Sequence, residues 1–139
     1  MEYDFYQKNT NFDTMKYSNI ILIDDDIDDQ EIFREALAKA APHVVCKAMS
    51  NAKDALLQLA EKAIAADAIF LDLNMPVMNG EEFLKLIKMN GELNHIPVII
   101  FSTSANPSTI AAVKKMGAVD FITKPSSFNT LIQILRPLF

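Results

Sequence analysis

Apolar positions along the chain fall into two alternating patterns. Short unbroken runs (Ile20-Ile21-Leu22-Ile23, Ala68-Ile69-Phe70-Leu71, and Val98 to Phe101 launched by Pro97) read as buried parallel strands. Between them, apolar residues recur at helical spacing. The first helix presents Ile32, Phe33, Ala36, Leu37 and Ala40 on one face, carries Asp28 and Asp29 in its first turn, and stops at Pro42. A second strand is expected near 44–48. The second helix opens at Ser50 or Asn51 and turns Ala52, Ala55, Leu56, Leu59, Ala60 and Ala63 inward. Residues 74–80 read as a loop from their Pro and Asn-Gly signals. The third helix buries Phe83, Leu84 and Ile87, and the fourth begins at Pro107 and ends before Gly117. A fifth strand at about 119–123 precedes a helix with Phe128, Leu131, Ile132 and Leu135 inward. This fivefold βα alternation predicts an α/β fold: a parallel sheet with helices on both faces.

Three strands end in charge. Asp24-Asp25-Asp26 follow the first, Asp72 follows the third, and Lys124-Pro125 follow the fifth through Thr123. Ligand chemistry in open parallel sheets collects at the carboxyl ends of strands. Crowded carboxylates repel unless a cation lies among them, so the pattern points to Mg²⁺. That ion takes one or two carboxylates and keeps several waters. Asp25 and Asp72 can bind it directly, Asp24 through water, and a backbone carbonyl such as that of Asn74 can add an oxygen. Asp72 is the candidate nucleophile toward phosphorus. Lys124 can neutralise the transferred charge, and the Ser102 hydroxyl, with Thr103 beside it, can hydrogen-bond a phosphoryl oxygen. Asp26, Asp28 and Asp29 read as ordinary acids of a helix start.

Composition narrows the picture further. At 139 residues, half of them hydrophobic, the chain suits one domain with a real core. A net charge of −5 without a Lys/Arg run argues against direct nucleic-acid binding. The single Cys46 excludes an internal disulfide and reads as a small apolar residue of the second strand. No stretch suits membrane insertion and none resembles a secretory signal, so a cytoplasmic location is expected. His43 and His95 lack partners at metal-ligand spacing, and the seven methionines look like core filling. Residues 1–17 show no period, hold all three tyrosines, and read as a mobile N-terminal extension ahead of a domain at 18–139.

The run Asp72-Leu73-Asn74-Met75-Pro76-Val77-Met78-Asn79-Gly80 resembles the signature of two-component response regulator receiver (CheY-like) domains. The acidic pair, the Ser/Thr and the Lys-Pro match in order and spacing over about residues 19–139. The resemblance implies a flavodoxin-like (βα)5 three-layer sandwich, its five-stranded parallel sheet in the order 2-1-3-4-5. It implies Asp72 as phosphoacceptor, with Asp24, Asp25, Asp72 and the Asn74 carbonyl serving Mg²⁺. Ser102 and Lys124 would hold the phosphoryl group, Ser102 and Phe121 would form the switch, and Lys124–Pro125 would be a cis bond. Ser102 stands where threonine is commoner, which implies a looser switch. The partners implied are a sensor histidine kinase or histidine phosphotransfer protein and a downstream protein on the face of the fourth helix, fifth strand and fifth helix. The expectation is a stand-alone regulatory phosphoacceptor rather than an enzyme.

Two other readings fit parts of the pattern. A haloacid-dehalogenase-like Mg²⁺ phosphatase would use Asp24 as nucleophile, but the glycine and threonine usual after that motif are missing here. A receiver-like binding module that works without phosphorylation would usually have lost one of the key residues, and all are present.

Overall fold

The computed structural model describes residues 17–139. Five parallel strands form one sheet in the order β2-β1-β3-β4-β5. They are β1 (Asn19–Ile23), β2 (Val45–Met49), β3 (Ala68–Leu71), β4 (Val98–Ser102) and β5 (Asp120–Thr123). The helices are α1 (Ile27–Ala40), α2 (Ala52–Ala60), α3 (Gly80–Met89), α4 (Pro107–Lys115) and α5 (Phe128–Leu135), followed by a 3₁₀ turn at Arg136–Leu138. This is the flavodoxin-like three-layer sandwich.

The central strands β1 and β3 are buried almost throughout, as their unbroken apolar runs require. Alternate side chains feed two cores. Ile21, Ile23, Ile69 and Leu71 pack with Phe83, Leu84 and Ile87 of α3 and with residues of α2 and α4. Ile20, Leu22 and Phe70 pack with α1 and α5. There Phe33 lies edge-on to both Phe70 and Phe101, at 5.3 Å between ring centroids in each case, a geometry worth about 1 kcal/mol per pair beyond its area.

Helix starts are fixed locally. Asp26, Asn51, Asn79, Asn106 and Ser127 each accept a hydrogen bond from a backbone N–H of the turn they precede. Asn79 and Glu82 form a full capping box. Consequently the loop expected over 74–80 ends at Asn79, and Gly80 is the first helical residue.

Other differences have tertiary causes. β2 begins one residue later than the pattern suggests, and as an edge strand it exposes Val45. Ile32 is exposed, and α1 buries Gln30 in its place. The Gln30 amide donates to the Asp24 carbonyl at 2.5 Å and to Ser50 Oγ at 3.0 Å, so a polar residue is drawn into the β1–α1 corner. Ala60 and Ala63 are exposed because α2 ends at Ala60. No cis peptide bond occurs among the described residues, so Lys124–Pro125 is trans, the isomer favoured at ordinary X–Pro bonds. Tyr17, at the expected domain boundary, packs edge-on to Phe139 at 6.3 Å. The expectation for the preceding residues lies outside the described residues. No described helix is long and apolar enough to cross a membrane.

Candidate functional site

Backbone pairing continues one residue past three strand ends and sets the site residues in a row. The Asp24 N–H donates to Met49 O, that of Asp72 to Ile23 O, and that of Lys124 to Ser102 O, each at 3.0 Å. Because Ile23 is in register with Leu71, Asp24 and Asp72 emerge side by side. Ser102 ends β4 opposite Thr123, one residue before Lys124.

Ligand oxygens of Asp24, Asp25 and Asp72 all lie within 4.8 Å of one another. Asp24 and Asp72 are buried and Asp25 is exposed. Ligands on opposite sides of one Mg²⁺ stand about 4 Å apart, so this hard, all-oxygen donor set with one solvent-facing member fits that ion. Among the described residues no other group of His, Cys, Asp and Glu is gathered closely enough to hold one.

The Lys124 ammonium binds Asp24 Oδ2 at 2.7 Å and Asp29 Oδ2 at 2.8 Å, and stands 3.7 Å from Asp72 Oδ2. It also sits 5.7 Å from the Phe101 ring centre. Burial works to discharge it, but the hydrogen bonds to Asp24 and Asp29 and the charges of Asp24 and Asp72 outweigh that and hold its pKa above the ordinary lysine range. Asp24 is pushed above the usual carboxylate value, first by burial and further by the Asp72 charge, against the opposing pull of Lys124 and the Asp26 N–H. Both Asp24 oxygens are engaged, Oδ1 by the Asp26 N–H at 2.9 Å and Oδ2 by Lys124. Asp72 is held more loosely: its Oδ1 accepts only a long 3.4 Å bond from the Asn74 N–H. The least-engaged of the two buried carboxylates is therefore Asp72, which leaves Asp24 poorly placed as a nucleophile.

Ser102 is fully buried and its Oγ accepts from the Ser104 N–H at 3.3 Å. The Asn74 side chain is exposed and donates to Ser104 Oγ at 2.7 Å, bridging the loops after β3 and β4. Those loops border a cleft of about 300 Å³ lined by Leu73, Asn74, Met75, Ser104 and Asn106 among others. Phe121 is buried in the same core as Val113 of α4. The β3–α3 loop carries strain: Val77, 87% exposed, has φ 68°, and Met78 N–H bonds Pro76 O at 2.8 Å across it. A γ-turn with positive φ is rare, more so at a β-branched residue.

Three contributors escape a reading of the sequence. Asp29 ion-pairs with Lys124 besides opening α1. Its helical phase was a usable signal, since Asp29 lies one turn before the buried Phe33 and on the same face. Gln30 carries no signal short of the structure. Gly80 matters because a Cβ there would collide with the Asp72 carbonyl and lie 2.7 Å from Leu73 Cα. His43 and His95 are exposed, away from the acidic group. Cys46 is half-buried, and burial pushes its thiol up to about 11, against a small opposing effect of Arg34.

Comparison with known proteins places these features in a family. The profile described as the response regulator receiver domain matches residues 20–136. The chain is 36% identical over 112 residues to a probable cyclic di-GMP phosphodiesterase of Vibrio cholerae, covering 81% of this chain and 24% of that protein. It is 37% identical over 116 residues to the two-component response regulator ORR1 of Oryza sativa, covering 78% and 49% respectively. The chain thus spans less than half of either relative's length. Among solved structures, the phosphorylated cyanobacterial phytochrome response regulator RcpA superposes with a TM-score of 0.78 at 30% identity, covering 86% of this chain and 89% of that one. The Mn²⁺-bound form of response regulator Rcp1 gives 0.75 at 27% identity over the same shares. With a family match across nearly all the described residues and the acidic group at the expected sheet edge, this chain belongs to the response regulator receiver domains of two-component signalling.

Proposed function

We propose that Asp72 accepts a phosphoryl group from the histidine of a sensor kinase or phosphotransfer protein, and that the modified domain signals through a protein–protein surface. One Asp72 oxygen attacks phosphorus, the bond from phosphorus to the donor imidazole nitrogen breaks, and that nitrogen keeps the electron pair. Lys124 and the Ser102 hydroxyl take up the charge on the phosphoryl oxygens. Asp24, Asp25, Asp72 and the Asn74 carbonyl would hold Mg²⁺, which supplies positive charge against the transferred group when bound. The observation that carries this reading is the loosely held Asp72, 3.7 Å from a charged Lys124 and beside two further carboxylates. The phosphorylated and Mn²⁺-bound states of RcpA and Rcp1 support it by analogy.

The new phosphate adds about −1.5 to −2 charges. It draws Lys124 and Ser102 toward Asp72, and both sit at the roots of the loops leading to α5 and α4. Phe121, packed in the same core as Val113 of α4, is the side chain through which that pull reaches α4. The α4–β5–α5 face is then the surface read by a downstream protein. The domain would span 18–139, preceded by an extension, and would work in the cytoplasm as a regulatory phosphoacceptor.

Incubation with acetyl phosphate and Mg²⁺, followed by intact-mass measurement and peptide mapping, tests this. The expected result is one phosphoryl adduct on Asp72, absent with EDTA and absent in Asp72→Asn. An adduct on Asp24, or none at all, overturns the proposal.

A further inference from the structure

We infer that Asp29 is a positioning residue that competes with the phosphoryl group for the Lys124 ammonium. The inference rests on Asp72 being the phosphoacceptor. A lysine ammonium has three donors. Two are committed here to short charge-assisted bonds, to Asp24 at 2.7 Å and to Asp29 at 2.8 Å. The separation from Asp72, 3.7 Å, exceeds hydrogen-bond length. Lys124 therefore rests against β1 and α1 and must move toward Asp72 to meet a phosphoryl oxygen.

The two resting bonds differ in what their loss costs. In the Lys124–Asp24 pair both side chains are nearly sealed from water, at 11% and 1% exposure. Separating them would strand a buried charge, which is strongly unfavourable. The Asp29 side chain is 35% exposed, so water can replace the lysine there at small cost. When Lys124 swings to the phosphoryl group, the Asp29 bond is the one that yields.

Asp29 is not a surface acid that wandered into range. Its backbone N–H is bound to the N-cap Asp26 Oδ1 at 3.2 Å, and it sits one helical turn before Phe33, which is fully buried against the sheet. The cap and the packed turn hold its carboxylate over the strand ends. The resting protein thus supplies Lys124 with a second counter-ion that the phosphoryl group has to displace. Removing that counter-ion releases the ammonium to move toward the phosphoryl oxygens.

Titration of beryllofluoride with Mg²⁺, followed by amide NMR, reads the competition directly. The panel is the unaltered protein, Asp29→Asn, Asp29→Ser, Asp29→Glu and Asp28→Asn. The last removes the same charge from an exposed neighbour on the same turn. Asp29→Asn and Asp29→Ser are expected to bind the phosphoryl mimic about fivefold more tightly, with Asp29→Glu and Asp28→Asn close to the unaltered protein. A residue that only braced the fold would weaken binding when removed, so the direction of change separates the two roles. Equal or weaker binding by Asp29→Asn and Asp29→Ser, or an equal gain in Asp28→Asn, overturns the inference while leaving the phosphoacceptor reading intact. Failure of every protein to bind at Asp72 overturns both.

Discussion

The two ends of the sheet use the same residue types for opposite purposes. At the amino end, Asp67 spends one oxygen on the Ser18 N–H, the Ser18 hydroxyl and the Asn19 N–H, at 2.9–3.1 Å. Those bonds, led by the Ser18 N–H, hold its carboxyl below the usual range. Lys88 nearby donates to the Asn94 and Ile96 carbonyls at 3.2 and 3.4 Å. Here charge is spent on backbone, and the loops are tied down. At the carboxyl end, Asp24, Asp25 and Asp72 crowd together, Lys124 pairs with Asp24 and Asp29 and stands 3.7 Å from Asp72, and the adjoining loop holds Val77 at positive φ. An aspartate that caps backbone stabilises the fold. One kept beside other aspartates costs stability and retains lone pairs for a ligand.

The contrast yields tests. The largest effect is expected where chemistry depends on close backbone packing. Gly80→Ala forces a methyl into the Asp72–Leu73 backbone and should cost about 3 kcal/mol by denaturant unfolding. A cost near zero would mean the loop is freer than it looks. Next, removing one charge at each end should shift stability in opposite directions. Asp67→Asn should lose about 1 kcal/mol at neutral pH, whereas Asp72→Asn should gain about 1 kcal/mol from relieved repulsion. Shifts of the same sign would erase the distinction between the ends.

The Asp67 effect has a pH signature. Because its folded pKa is lowered, its contribution is full above the unfolded value of 3.8 and fades as pH falls through the folded one. The stability gap between the unaltered protein and Asp67→Asn should therefore narrow in acid thermal melts. A gap that widened would reverse the assignment. The smallest effect is expected at Val77→Gly: relief of the positive φ, partly offset by unfolded-state entropy, should stabilise by roughly 0.5 kcal/mol. A loss of stability would show that the Val77 side chain contributes more than its 87% exposure suggests.

Much of the fold is legible because its determinants are local. Strand β3 matches its apolar run residue for residue and β1 adds only Asn19 to its own, since only buried central strands tolerate unbroken Ile and Leu. A charge directly after such a run must lie at the sheet edge, which is why Asp24, Asp25, Asp72 and Lys124 could be grouped before any coordinates. Caps at Asn51 and Asn79 act within three residues of their helices. The less legible features depend on neighbours distant in the chain. β2 alternates exposed and covered residues because it is an edge, and Ile32 yields its inward place to Gln30 because Asp24 O and Ser50 Oγ wait there. Gly80 is required by the backbone of Asp72 and Leu73, and not by a turn.

By itself, then, the sequence determined the alternation of strands and helices and which polar groups stand at the carboxyl edge, because hydrophobic period and strand-end polarity are short-range properties. Only the tertiary structure decided how those groups pair. Lys124 meets Asp29 across 95 residues of chain, and no spacing rule reaches that far, since the contact exists only once sheet order and the docking of α1 have brought them together.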